Sequence, residues 1–130
     1  MTGLILFAHG SSVEAANEAV RNVARNVMAG GDFMRVVPAF LEVAVPDLRG
    51  AVKELAEAGA QRIIVVPYFL VPGIHLTRDL PGIVADLRRI YQGVSIEVTD
   101  SLDRHPALVE AVLDRAGQKH GGSGSESKTD

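Results

Sequence analysis

The chain has 130 residues, is 47% hydrophobic, carries a formal net charge of −3 and contains no cysteine. That is enough for one domain with a core, and it excludes disulfides, zinc–thiolate sites and iron–sulfur clusters while fitting a reducing cytoplasm. No long basic run marks a nucleic-acid partner, no segment approaches the ~18 apolar residues of a membrane span, and "MTGLILFAHG" lacks the positive n-region of a signal peptide.

The first strand is predicted over Leu4–Ala8, where "LILFA" runs straight into His9. Behind it Ser11-x-x-Glu14 fits a capping box with Ser11 as the N-cap. Ala16, Val20, Val23, Ala24 and Val27 then recur at helical spacing until Gly30-Gly31. A second strand is expected over Arg35–Phe40. Pro46 suits the first turn of a second helix, which has Leu48, Val52, Leu55 and Ala56 on one face and Gly59 as its stop. The third strand, Arg62–Phe69, carries the run "IIVVPYF", continuously apolar like the first, as strands covered on both faces are. A third helix is expected from about Asp79 to Tyr91, with Pro81 in its first turn. Ser95–Thr99 reads as a fourth strand. A last helix from near Pro106 is expected to bury Leu108, Val109, Val112 and Leu113. From Lys119 onward "KHGGSGSESKTD" lacks the apolar content to offset ordering entropy, so the domain is expected over residues 1–118 with a disordered tail over 119–130.

Strands alternating with helices predict a three-layer α/β/α fold. Its sheet is parallel and four-stranded, with right-handed crossovers and the flavodoxin-like order 2-1-3-4. Ligands of such sheets bind beyond the carboxyl ends of the strands, at the switch point. His9 follows strand 1, Glu42 follows strand 2 and His75 follows strand 3. Order 2-1-3-4 sets these strands side by side, ~4.8 Å apart, so the three side chains can share one crevice.

Two imidazoles and a carboxylate suit borderline divalent metals such as cobalt, nickel, zinc and ferrous iron. Three ligands leave positions open for water or substrate. Each residue also has a plainer reading: a capped or exposed histidine for His9 and His75, and a helix-dipole partner for Glu42. The Gly10-Ser11-Ser12 turn offers backbone N–H groups to an anion, with a helix cap as the alternative role of Ser11. Neither a nucleotide-binding glycine motif nor a G-x-S-x-G elbow occurs. His105-Pro106 reads as the start of a helix and His120 as part of the tail.

"LILFAHGSS", "PAFLEVAVPDL" and "VVPYFLVPGIHLTRDLP" together resemble the small sirohydrochlorin chelatases, the short CbiX-like members of the class II chelatases. The resemblance runs from residue 3 to about residue 115. It implies ATP-independent insertion of a divalent metal into sirohydrochlorin, a tetrapyrrole with eight carboxylates, with no organic cofactor. Cobalt is the favoured metal, iron the next and nickel a third, serving cobalamin or siroheme biosynthesis. It also implies metal binding and catalysis by His9, His75 and Glu42, and a homodimer that closes the tetrapyrrole cleft. Substrate carboxylates call for cationic or N–H donors, for which Arg78 and the Gly10-Ser11-Ser12 turn are candidates. Many relatives have arginine where Ser12 stands, which removes one anion contact, and the histidine-rich loop of some nickel-inserting relatives is missing. The rival readings are a non-catalytic metal-delivery module on the same fold and, far behind, a histidine phosphatase. The latter needs an arginine beside the histidine, where Ala8 stands.

Overall fold

A computed structural model describes residues 1–71 and 73–118, without the side chains of Ile74 and His75. The tail expected over 119–130, with His120, lies outside the described residues. The chain runs β1 (Thr2–Ala8), α1 (Glu14–Gly30), β2 (Arg35–Phe40), α2 (Leu48–Glu57), β3 (Arg62–Pro67), α3 (Ile74–Ile90), β4 (Ser95–Val98), a 3-10 turn (Leu102–Arg104) and α4 (Ala107–Arg115). The four strands form one parallel sheet in the order β2-β1-β3-β4, the predicted architecture.

β1 lies in the middle and is buried from Gly3 to Ala8, as its unbroken apolar run demands. Its pleat sends Ile5 and Phe7 into a core shared with Val52 and Leu55 of α2 and Val84 and Leu87 of α3. Leu4 and Leu6 face the other way, onto Ala24 of α1. The chain moves one way across the sheet from β1 to β2 and the opposite way from β2 to β4. Right-handed crossovers therefore put α1 on one face and α2 and α3 on the other.

Four local expectations are corrected. First, α1 begins at Glu14 with Val13 as its N-cap, so Ser11 is not the cap. Ala16 is exposed and Asn17 is buried in its place. Second, Pro46 stands outside α2. The cap is Asp47, whose Oδ1 accepts the Gly50 N–H at 2.8 Å. Third, α3 starts at Ile74, so Pro81 is interior to the helix. An interior proline removes one backbone hydrogen bond, and the burial of Leu76, Val84 and Leu87 outweighs that loss. Fourth, α4 buries none of its residues, and Val109 and Val112 are 55% and 66% exposed. The helix packs chiefly on the 3-10 turn. Ile64 and Val66 of β3 consequently stay half-buried on the α1 face while Ile63 and Val65 are fully buried on the other.

The surface carries a set of exposed ion pairs. Hydrogen bonds from Arg21 and then Asn17 hold Glu14 below the ordinary glutamate value of 4.5. Arg25 and Arg21 do the same for Glu18, and Arg62 for Glu97. Arg49 and Arg89 hold Asp86 below 3.8. A depressed carboxylate contributes stability that is present above its unfolded pKa and is lost as pH falls through its folded one. Thermal melts are therefore expected to hold level down to about pH 5 and to fall below it. Repeating them in ~1 M NaCl should shrink the difference, because these pairs are solvent-exposed and screened.

Candidate metal centre

The loops after β1 and β2 are locked together by their backbones. Leu41 N–H donates to the Ala8 carbonyl at 2.9 Å and Glu42 N–H to the His9 carbonyl at 3.2 Å, extending the parallel ladder past the strands. Gly10 has φ +92°, and a Cβ there would stand 1.9 Å from the Glu42 carbonyl oxygen. Only glycine permits both that conformation and that approach. The same carbonyl accepts the Ala44 N–H at 2.8 Å around Val43, whose φ is +73°. This is a γ-turn of the strained, positive-φ kind, on a β-branched residue that ordinarily avoids it.

The two side chains these loops carry face each other. His9 Nε2 lies 3.8 Å from Glu42 Oε2, and the side chains are 58% and 63% exposed. Metal–ligand bonds of ~2.1 Å at tetrahedral or octahedral angles put neighbouring donors ~3.0–3.5 Å apart. A small rotation of either side chain brings the pair to that spacing. Phe69, just past β3, backs the imidazole edge-on at 6.4 Å between centroids and packs edge-on against Phe7 at 6.0 Å. The imidazole therefore has an apolar wall on one side and a carboxylate on the other.

His75 falls in the first turn of α3, seven residues past the start of the loop that follows β3, and its side chain lies outside the described residues. Among the described residues no group of three His, Cys, Asp or Glu side chains converges. Arg78, also on α3, is 66% exposed and lies 3.5 Å from Asp79. Ser12 is exposed. The Ser11 amide donates to Asn17 Oδ1 at 2.9 Å, and the Ser11 hydroxyl oxygen accepts the Val13 N–H at 3.0 Å. His105 stands apart at the start of α4, where its Nδ1 accepts the Ala107 N–H.

Asn17 was not singled out by its motif, yet among the described residues it is the buried polar side chain, at 3% exposure. Its signal was available in the sequence. Asn17, Val20, Ala24 and Val27 form an i, i+3, i+7, i+10 stripe on the inward face of α1, and a polar residue on such a stripe needs a partner.

Around the His9–Glu42 pair the loops expose aliphatic side chains. Val43, Val45, Leu70 and Val71 are 68%, 80%, 63% and 84% exposed. Exposed apolar groups clustered on the loops at one end of a sheet mark a contact surface. Val43 and Val45 share the loop that carries Glu42, and Leu70 and Val71 follow Phe69, whose ring meets His9 edge-on.

Comparison with known proteins identifies the family. The CbiX family model matches residues 3–119. The chain is 35% identical over 135 residues to the sirohydrochlorin cobaltochelatase of Methanopyrus kandleri, covering 88% of this chain and 94% of that protein. It is 32% identical over 113 residues to the chloroplastic sirohydrochlorin ferrochelatase of Arabidopsis thaliana, covering 87% of this chain but 50% of that one. Among solved structures, the CbiX protein of Marinobacter aquaeolei VT8 superposes with a TM-score of 0.76 at 30% identity, covering 88% and 92% of the two chains. SirB of Bacillus subtilis subspecies spizizenii, solved in complex with cobalt, has the same fold at a TM-score of 0.80 and 23% identity, with 49% of its chain covered. The chain thus spans half the length of some relatives and nearly all of others. With a match from end to end of the described fold, and with the loops after β1 and β2 bringing His9 and Glu42 together, this chain belongs to the CbiX family.

Proposed function

We propose that this chain inserts a divalent metal into sirohydrochlorin without ATP, with cobalt first in preference, iron second and nickel third. The observation that carries this is the His9–Glu42 pair, 3.8 Å apart at the carboxyl ends of adjacent strands and open to solvent. His9, Glu42 and His75 hold the ion. An imidazole and a carboxylate grip a divalent cation less firmly than a thiolate cage, as suits a site that must surrender its metal.

Insertion replaces two pyrrole N–H protons by the ion, so two protons leave the macrocycle for each metal that enters. Histidine and glutamate are competent acceptors at neutral pH. The aliphatic rim of Val43, Val45, Leu70 and Val71 receives the ring. Arg78 and the Gly10-Ser11-Ser12 turn face its carboxylates. The Ser11 amide is already committed to Asn17, so the donors left to Ser11 and Ser12 are their hydroxyls and the Ser12 amide. Mixing the protein with sirohydrochlorin and Co²⁺ and following the absorption spectrum tests the assignment. Insertion faster than the protein-free rate supports it. Cobalt binding without any acceleration identifies a delivery module instead.

The active form is proposed to be a cytoplasmic homodimer. One four-stranded sheet offers one wall, and enclosing a ligand of this size takes two. The unburied α4, with Val109 and Val112 outward, and the half-covered Ile64 and Val66 of β3 are the surfaces available for a second copy. Among the described residues no helix is long and apolar enough to cross a membrane. Sedimentation is expected to show a dimer, and Val109→Glu with Val112→Glu is expected to give a folded monomer.

A further inference from the structure

We propose that Asn17 is the positioning residue of the metal centre, acting through the Ser11 peptide to fix the backbone that presents His9. The proposal rests on the reading of His9 as a metal ligand.

Apart from the edge-on contact with Phe69, His9 has little to orient it. Its imidazole is mostly exposed and lies too far from Glu42, at 3.8 Å, for a hydrogen bond. What aims it is the main chain on either side. Upstream, the Ala8 carbonyl is held by the Leu41 N–H, and the carbonyl of His9 itself by the Glu42 N–H. Downstream, after the left-handed Gly10, the chain leaves the sheet and has no strand to pair with. Asn17 supplies the missing partner. Its Oδ1 accepts the Ser11 N–H at 2.9 Å, and its Nδ2 donates to the Ser11 carbonyl at 2.8 Å. A carboxamide carries one acceptor and two donors, so this two-point bridge imitates the edge of a strand. The remaining Nδ2 hydrogen goes to Glu14 Oε1 at 3.3 Å.

Each polar atom of the Asn17 side chain is therefore used, and it is used inside the protein. With Asn17 3% exposed, water cannot substitute freely. The clamp sits two residues from His9, across a glycine that would otherwise be the most pliable joint of the loop. Groups that hydrogen-bond a metal ligand directly typically change metal affinity ~10–100-fold when removed, and Asn17, acting one link further back through the Ser11 peptide, is expected at the lower end of that range.

The test is Co²⁺ binding by titration calorimetry, with thermal melts on the same samples. Asn17→Ala is expected to weaken Co²⁺ binding by ~10-fold. Ala24→Gly, a buried change on the same helix that lowers helix propensity, is the stability control. It is expected to lower the melting temperature with Co²⁺ affinity unchanged. Asn17→Ser, which keeps a single hydrogen-bonding group, is expected to fall between the unmutated chain and Asn17→Ala. Equal Co²⁺ affinity in Asn17→Ala and the unmutated chain overturns the proposal, as does an equal loss in Ala24→Gly. If the unmutated chain binds no Co²⁺ sensitive to His9→Ala, the metal-centre reading itself has failed. Should Asn17→Ala not fold, hydrogen exchange on the unmutated protein decides. The Ser11 amide is expected to be protected as the exposed Ser12 amide is not, and rapid exchange at Ser11 removes the clamp.

Discussion

His9→Ala and His75→Ala are each expected to lower enzyme-dependent cobalt insertion by ~100-fold or more, with the fold intact. A metal–imidazole bond contributes several kcal/mol where the ion is held, and each ~1.4 kcal/mol is a factor of ten in rate. Each variant would leave one imidazole and the Glu42 carboxylate, a two-donor set that holds a divalent ion less well than three. His9 stands just past the end of β1 with its side chain 58% exposed, so its truncation opens no cavity in the core. The melting temperature of His9→Ala should stay within a few degrees of the unmutated value, since surface changes are worth ~0.5 kcal/mol or less. The absorption assay and a thermal melt separate the two quantities. Full insertion activity in both variants overturns the site.

Gly10→Ala is expected to damage both stability and activity, although it adds one methyl group. At φ +92° an alanine pays the left-handed penalty of ~1–2 kcal/mol. Its Cβ would also occupy a point 1.9 Å from the Glu42 carbonyl oxygen, a contact that no real structure tolerates. The atom in the way is backbone and cannot swing aside. The loops after β1 and β2 must part, and the His9 carbonyl loses the Glu42 N–H. Together these come to about 3 kcal/mol, or a melting temperature lower by roughly 10 °C. Because the two loops carry the two donors, Co²⁺ affinity should fall with stability. A variant that melts normally and binds Co²⁺ normally would show that the loops are not interlocked.

The sheet was legible because its signals are local and unopposed. "LILFA" and "IIVVP" are apolar without a break. Alternation with helices leaves few topologies, and the strand-end rule points to His9, Glu42 and His75, of which the side chains of His9 and Glu42 stand 3.8 Å apart. What misled was punctuation with two meanings. Ser11-x-x-Glu14 has the form of a capping box, yet Glu14 pairs with Arg21 and Ser11 is engaged by Asn17. Pro81 has the form of a helix start, yet "IHLTRDL" extends the helix a further seven residues ahead of it. α4 failed for another reason. Periodicity reports that a helix has an apolar face and does not report what covers it, and no part of the described chain covers Val109 or Val112. The role of Asn17 is set by a peptide six residues away, through contacts that no motif encodes.

Both borders of the sheet have a further consequence. β2 is one border strand, and its N–H groups alternate: Leu41 N–H points inward to Ala8, while Phe40 N–H points outward to Pro46. By that alternation residue 38 also faces outward, and it is proline, which has no N–H to offer. β4, the other border, has four residues, and Glu97 on it is tied to Arg62 by a two-point ion pair. Short, charged or proline-bearing borders resist strand-by-strand growth. Strand-by-strand pairing between the sheets of two copies is therefore disfavoured at both borders, which guards the chain against growth into fibrils.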